Sequence, residues 1–252
     1  MQSEFRFSRI FSRAWKLFAA NFWKFFIVTA MSELPVRAFF HWANARPAGG
    51  LLDGATMRTI TMFLGLVLVL LGQAVLVHIA FQTLRRQPAR LHEAVQEALA
   101  RFFPILGLAL LAFLIVFGML TLLSNLVEPG LFAIVFMVAA SVLFVRWSLA
   151  LPVCVVETYG PVDSLRRSAR LTEGHRLKIF GIIVLVCAPL PAAMAMLGAA
   201  MFYLGPGFQY FGQYVLGVAW ITGFNNVLTV IYHDLRVAQE GIDSGQIAPV
   251  FD

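Results

Sequence analysis

Three ionisable side chains, Glu33, Arg37 and Arg146, lie inside long apolar stretches of this 252-residue sequence. An ionisable group at the centre of a bilayer costs about 3 kcal/mol on insertion scales, and such groups mark ion paths, proton relays or paired structural charges. Glu33 and Arg37 stand four residues apart, one helical turn, and can neutralise each other. At 1.5 Å per residue, Glu33 lies roughly 16 Å in from the start of its stretch at residue 22, close to mid-bilayer. One chemistry this permits is a proton or ion relay from Glu33 through Arg37 or Arg146. The other is an ion pair that fixes how the first and fourth spans pack. A relay needs a ladder of titratable groups, and no further carboxylate lies deep in an apolar stretch. The structural pair is the favoured expectation.

Uncharged polar residues in the apolar stretches include Gln73, His78, Ser141, Thr222, Asn225, Asn226 and Thr229. Asn225 and Asn226, with Gly217 and Gly223 nearby, make the last stretch the most polar and an interior helix. Interhelical hydrogen bonds and close approach over small residues account for them; a ligand cavity lined by this helix is the alternative. A second group, Glu157, Asp163, Glu173 and His175, lies among Arg166, Arg167 and Arg170. A carboxylate–His–Arg set at a membrane surface could act on phosphate head groups, but a solvated face of alternating charge is the favoured reading. The five histidines form no His-x-x-x-His pair and no Cys/His cluster with ligand spacing. Cys154 and Cys187 sit in apolar runs as small hydrophobes. Nucleophile-elbow, phosphate-loop and dinucleotide-binding motifs are missing. The expectation is a chain that is not an enzyme and has no metal or cofactor.

The elements that carry these residues follow from composition. Hydrophobic residues make up 60% of the chain and charged residues 13%, against about 45–50% and about 25% in soluble domains. This excludes a soluble enzyme, a disordered chain and a disulfide-built scaffold. Six runs approach the roughly 20 apolar residues that cross a bilayer: 22–43, 58–83, 102–127, 130–156, 179–204 and 208–233. Glu33, Pro35 and Arg37 interrupt the first. Ala43-Asn44-Ala45 has the form of a signal cleavage site, but the leader would be too long and its apolar core too short, so an uncleaved helix is expected. The polar segments are too short for a separate soluble domain, leaving one membrane domain over 1–252.

Orientation follows from the cations. Arg6, Arg9, Arg13, Lys16 and Lys24 precede or open the first span. Arg85, Arg86, Arg90 and Arg101 join the second to the third, and Arg166, Arg167, Arg170, Arg176 and Lys178 join the fourth to the fifth. Arg236 follows the sixth, while the opposite connections carry only Arg46 and Arg58. Positively charged short connections stay cytoplasmic, so both termini are expected there.

The three basic connections are patterned as amphipathic helices. Arg6, Arg9, Arg13 and Lys16 stack on one face of the first, opposite Phe7, Ile10, Phe11, Ala14 and Phe18. Leu91, Val95, Ala98 and Phe102 form the apolar stripe of the second, with Glu97 and Arg101 spaced as an ion pair. The third starts at Pro161, places Asp163 in its first turn, stripes Val162, Leu165 and Ala169, and stops at Gly174. Each helix is followed by one span out and one back, so the chain reads as three repeats over about 5–83, 88–156 and 161–236, with a short tail at 237–252. Phe81-Gln-Thr-Leu-Arg85 and Tyr232-His-Asp-Leu-Arg236 close two of these units alike. Three parallel two-span units do not make the inverted repeat frequent in transporters. Pro189 and Pro191 predict a kink in the fifth span.

A helix with a cationic and an apolar face lies in the membrane interface, and each Lys or Arg there gains about 1 kcal/mol from an anionic leaflet. That explains a pI of 9.8 without nucleic acid, for which no reading motif is present. Candidate lipid- or partner-binding residues are Arg6, Arg9, Arg13, Lys16, Arg166, Arg167 and Arg170; the intramembrane polar candidates are Glu33, Arg37, Arg146, Asn225 and Asn226.

The stretch PVCVVETYGPVDSLRRSARLTEG from Pro152 to Gly174, with YHDLR at 232–236 and Glu240-Gly241, resembles the membrane domain of bacterial glycerophosphoryl diester phosphodiesterases and its stand-alone relatives. The resemblance implies a polytopic bacterial inner-membrane protein linked to envelope or phospholipid homeostasis. In enzyme-bearing relatives a soluble phosphodiesterase barrel follows this domain. Only 16 residues follow Arg236 here, so the resemblance does not extend to the hydrolase. The expected function is a non-enzymatic membrane component that engages anionic lipid or a partner protein; the alternative is a small transporter or channel using Glu33, Arg146 and the polar last span.

Overall fold

The computed structural model describes residues 7–44, 54–85, 87–126 and 129–240, and all regular structure among them is helical. In chain order the helices are α1 (Phe7–Ala20), α2 (Phe22–Asn44), α3 (Gly54–Leu84), α4 (Leu91–Ala100), α5 (Phe102–Leu126), α6 (Pro129–Trp147), α7 (Ala150–Val156), α8 (Pro161–Leu171), α9 (Arg176–Cys187), α10 (Pro189–Met201) and α11 (Pro206–Glu240). Five stretches are long and apolar enough to cross a membrane: Thr56–Leu84, Phe102–Asn125, Leu131–Val156, Arg176–Met201 and Gly207–Glu240. The first expected span forms α2, but this helix carries Lys24, Glu33 and Arg37 and is not among the five. The all-helical multi-pass expectation therefore holds.

Small residues set the closest helix pair. α2 runs antiparallel along α3, with Asn21 donating to Thr83 at 3.0 Å, Ser32 against Gly72, and Val36 against Gly65. A Cβ on Gly72 would fall 2.6 Å from Ser32 Cβ, and one on Gly65 2.8 Å from a Val36 methyl. The contacts from Asn21 to Val36 extend over about 22 Å of helix axis, so most of the length of α2 runs along α3.

Two of the long stretches are broken. The α9–α10 break falls at Ala188, before Pro189, where the prolines predict it: a ring in place of an N–H ends the ladder. The α6–α7 break at residues 148–149 lies one turn before Pro152, whose ring removes the N–H that would bond the Ser148 carbonyl. Its loose backbone groups are satisfied by one side chain on α8, since the Leu149 N–H donates to Ser168 Oγ at 3.2 Å and Ser168 O–H donates to the Arg146 carbonyl at 2.9 Å.

That arrangement corrects the expected face of α8. Its ends are as the sequence predicts, with Pro161 opening it, Asp163 in the first turn, and Gly174 at φ +76° just beyond. However, Val162 is exposed and the buried side is Ser164, Ser168, Ala169, Leu171 and then Thr172. Of the expected stripe, Ala169 is buried and Leu165 packs against the core, but the buried side also carries the hydroxyls of Ser164, Ser168 and Thr172, and Ser168 bonds the broken neighbour. α4 is corrected likewise. Ala94 and Ala98 are its buried contacts, while Leu91, Val95, Leu99 and Phe103 are exposed. Small side chains let α4 lie close against α3. The ion pair on this helix joins Arg90 to Glu93 at 2.9 Å rather than Glu97 to Arg101.

The core is concentrated at the arginine-rich end, where Ile10, Phe25, Leu76, Ile79, Ile105, Leu149, Leu171, Ile179, Ile231, Tyr232 and Leu235 are nearly inaccessible. Of the most apolar window in α11, 56% is buried, against 17% in α5 and in α9–α10. α11 is thus the central post of the bundle, and α5 and α9–α10 present most of their surface outward. Toward the other end large side chains such as Met31, Leu114, Met137, Leu185 and Phe208 are exposed, as suits a surface solvated by hydrocarbon.

Candidate functional site

Two polar assemblies occupy the bundle, one at the arginine-rich end and one in its middle. The first begins at the turn from α7 to α8. Thr158 takes φ +61°, a left-handed conformation that costs a β-branched residue about 1–2 kcal/mol, and Gly160 caps α8 in an extended conformation. This reversal returns Arg167 over Glu157, whose carboxylate is only 7% exposed; Arg167 Nε donates to it at 3.0 Å. α11 supplies the rest. The Tyr232 hydroxyl, fully buried, donates to Glu157 Oε1 at 2.8 Å, and Arg236 Nε lies 4.0 Å from the same oxygen. Arg236 donates in turn to Glu240 at 3.1 Å, and Glu240 also pairs with Arg167. Two carboxylates and two guanidiniums therefore close a neutral ring around one phenol. Gln239 adds a bond to the Leu171 carbonyl at 3.0 Å and Arg176 one to the Ala169 carbonyl at 3.3 Å, so the open C-terminal carbonyls of α8 are capped by side chains.

Next to this ring, α1 is fastened to α11. Ile10, Ala14 and Leu17 are its buried side chains, and Arg13 pairs with Asp234 at 2.5 Å. The cationic face of α1 is thus divided. Arg13 is committed to an internal carboxylate, whereas Lys16 is exposed. Arg6 and the side chain of Arg9 lie outside the described residues. On α8, Arg167 is half-buried in the ring; Arg166 is exposed with Asp163 at 3.9 Å, and Arg170 is exposed.

The second assembly lies between α2, α3 and α11. Arg37 Nε is 3.8 Å from Glu33 Oε2, and Glu33 is buried. The Arg37 guanidinium faces the Tyr214 ring at 5.4 Å and rests on Gly217, where a Cβ would meet it at 2.9 Å. Tyr214 donates to the Ala30 carbonyl at 2.6 Å. Deeper in, the Thr29 and Thr222 hydroxyls bond each other at 2.9 Å and Asn225 donates to the Gln73 carbonyl at 3.3 Å. Asn226 is 2% exposed and its amide Nδ2 has no hydrogen-bond partner.

The expected tie between the first and fourth spans is therefore corrected. The Glu33–Arg37 pair packs α2 against α11, and Arg146 is exposed on α6, contributing its carbonyl rather than its guanidinium. The proposed head-group set also comes apart: Glu157 is enclosed by Arg167 and Tyr232, Asp163 faces Arg166, and His175 Nδ1 is 3.3 Å from the Glu173 carbonyl. Sequence reasoning missed Tyr232, Asp234 and Glu240 as partners. Their signal was the scarcity of acids, 13 against 19 Lys and Arg, which makes each carboxylate beside an interface a candidate counter-ion. Among the described residues no group of three His, Cys, Asp or Glu is placed to hold a metal ion.

Residues 119–235 match the family model for the membrane domain of glycerophosphoryl diester phosphodiesterase, in agreement with the resemblance carried by Pro152–Gly174 and Tyr232–Arg236. The match takes in Glu157, Arg167 and Tyr232 and stops one residue short of Arg236. No curated protein matches the chain, and no solved structure does.

Proposed function

We propose that this protein is a non-enzymatic, six-span component of a bacterial inner membrane, with both termini cytoplasmic, that engages anionic phospholipid through its interfacial helices. The observation that carries this reading is the division of the cations. Arg13, Arg167 and Arg236 are consumed by Asp234, Glu157 and Glu240, which hold the arginine-rich end together. Lys16 and Arg170 are exposed with no carboxylate in ion-pair range among the described residues. Exposed cations beside exposed Trp15, Trp23, Phe103 and Leu177 form the combination that sits at an anionic interface. α2 is the sixth span in this reading, since it follows α3 for most of its length and neutralises its own intramembrane carboxylate. With α6–α7 and α9–α10 each taken as one long stretch, the order short helix, long stretch, long stretch recurs from α1, α4 and α8, which supports the threefold repeat.

The test uses reconstituted protein. Trp fluorescence is quenched by brominated lipid in contact with the helices, and brominated phosphatidylglycerol is expected to quench more than brominated phosphatidylcholine. Replacing Arg6, Arg9, Lys16, Arg166 and Arg170 together by Gln is expected to erase that difference, as is high salt. Equal quenching by both lipids in the unaltered protein refutes the reading.

A further inference from the structure

An apolar groove of about 530 Å³ lies between α1, α9 and α11. Phe11, Trp15 and Phe18 roof it from α1, Val186 closes it from α9, and Trp220 and Gly223 form its floor on α11. No charged side chain lines it. Along α11 it runs from Val227 to Leu216, about 16 Å of helix axis, which is the depth of one leaflet of a roughly 30 Å hydrocarbon core. Two of its walls belong to membrane-spanning stretches, so the medium outside it is hydrocarbon.

The surroundings select the occupant. Trp15, on the groove rim, is 69% exposed, and Lys16 follows it about 100° further round the helix. Arg13, on the same cationic face of α1 as Lys16, is already neutralised by Asp234. The groove therefore has an apolar interior of leaflet depth, and the helix that roofs it carries one uncommitted cation, Lys16, on its exposed face next to Trp15. We propose that it holds one acyl chain of a cytoplasmic-leaflet phospholipid whose anionic head group lies beside Lys16. This deepens the lipid-engaging reading above and rests on it, but has its own residues and its own test.

Gly223 makes the test clean, because a Cβ there meets nothing within 4 Å and a larger side chain grows into the groove. Each methylene buried is worth roughly fourfold in affinity, so Gly223→Leu, displacing several, is expected to lower lipid retention more than about tenfold. The full-length protein is purified in mild detergent with equal phosphatidylglycerol and phosphatidylethanolamine and weighed by native mass spectrometry. The unaltered protein is expected to keep one phospholipid, predominantly phosphatidylglycerol. Gly118→Leu, at an equally open position on α5, is expected to keep it; Gly223→Leu, with unchanged melting temperature, to lose it; and Lys16→Gln to keep one lipid without the preference. Retention by Gly223→Leu equal to the unaltered protein overturns the groove, as does a lipid-free dimer. An unaltered preference in Lys16→Gln overturns the head-group assignment. Lipid lost from Gly223→Leu while the quenching difference is absent counts against the broader surface reading and not against the groove.

Discussion

Truncating Arg167 to Ala removes the guanidinium that closes the ring over Glu157. The carboxylate it leaves is 7% exposed, so water cannot take the place of the lost partner. Breaking a buried pair by removing one member costs about 3–5 kcal/mol, because the other charge stays buried and uncompensated. Here the Tyr232 hydroxyl at 2.8 Å and Arg236 at 4.0 Å remain, which places the cost at about 3 kcal/mol, the lower end of that range. For a chain of this size 1 kcal/mol moves the melting temperature by about 2–4 °C, so Arg167→Ala is expected to melt about 6–12 °C lower in detergent. Adding Glu157→Gln removes the stranded charge and is expected to bring the double variant back to within about 1 kcal/mol of the unaltered protein. Intrinsic-fluorescence melting of the four proteins, read as a double-mutant cycle, gives both quantities. A loss below about 2 °C in Arg167→Ala, or a double variant no more stable than the single one, refutes the claim that the ring clamps α7–α8 to α11.

Gly72→Ala is expected to destabilise by about 1–3 kcal/mol through overpacking against Ser32, and Ser32→Gly in the same chain to restore stability; thermal melting checks both. Ser168→Ala leaves the Arg146 carbonyl and the Leu149 N–H without their shared partner, an expected loss of about 1–3 kcal/mol, with faster hydrogen exchange at Leu149 as the local readout. Asn226→Leu removes a buried amide nitrogen without a partner and is expected to raise stability by about 1 kcal/mol or more. In proteoliposomes it is expected to leave ion flux unchanged; lost flux would favour the transport reading built on Glu33 and the polar α11.

Much of the helical scaffold is legible in the chain because its signals are local. Pro161 and Gly174 bracket α8, Pro189 ends α9, and Glu33 finds Arg37 one turn away. The candidate site is far less legible. Glu157 is joined by residues 10, 75 and 79 positions later, and Arg13 finds Asp234 across 221 positions; no periodicity reports such pairs. The α6–α7 break is signalled by Pro152 one turn later, but the Ser168 hydroxyl that bonds its Leu149 N–H lies 19 positions away, on another helix.

The sequence by itself determined that these helices are apolar enough for a bilayer and that their basic connections share one face, since length, hydropathy and charge are properties of each segment alone. Only the tertiary structure decided which face of each helix packs. Lipid tails are as apolar as leucine, so in a membrane an exposed and a buried stripe cost alike. Partner choice then passes to small residues, hydroxyls and counter-ions, as Ala94, Gly72, Ser168 and Glu157 show, and their complements lie on other helices.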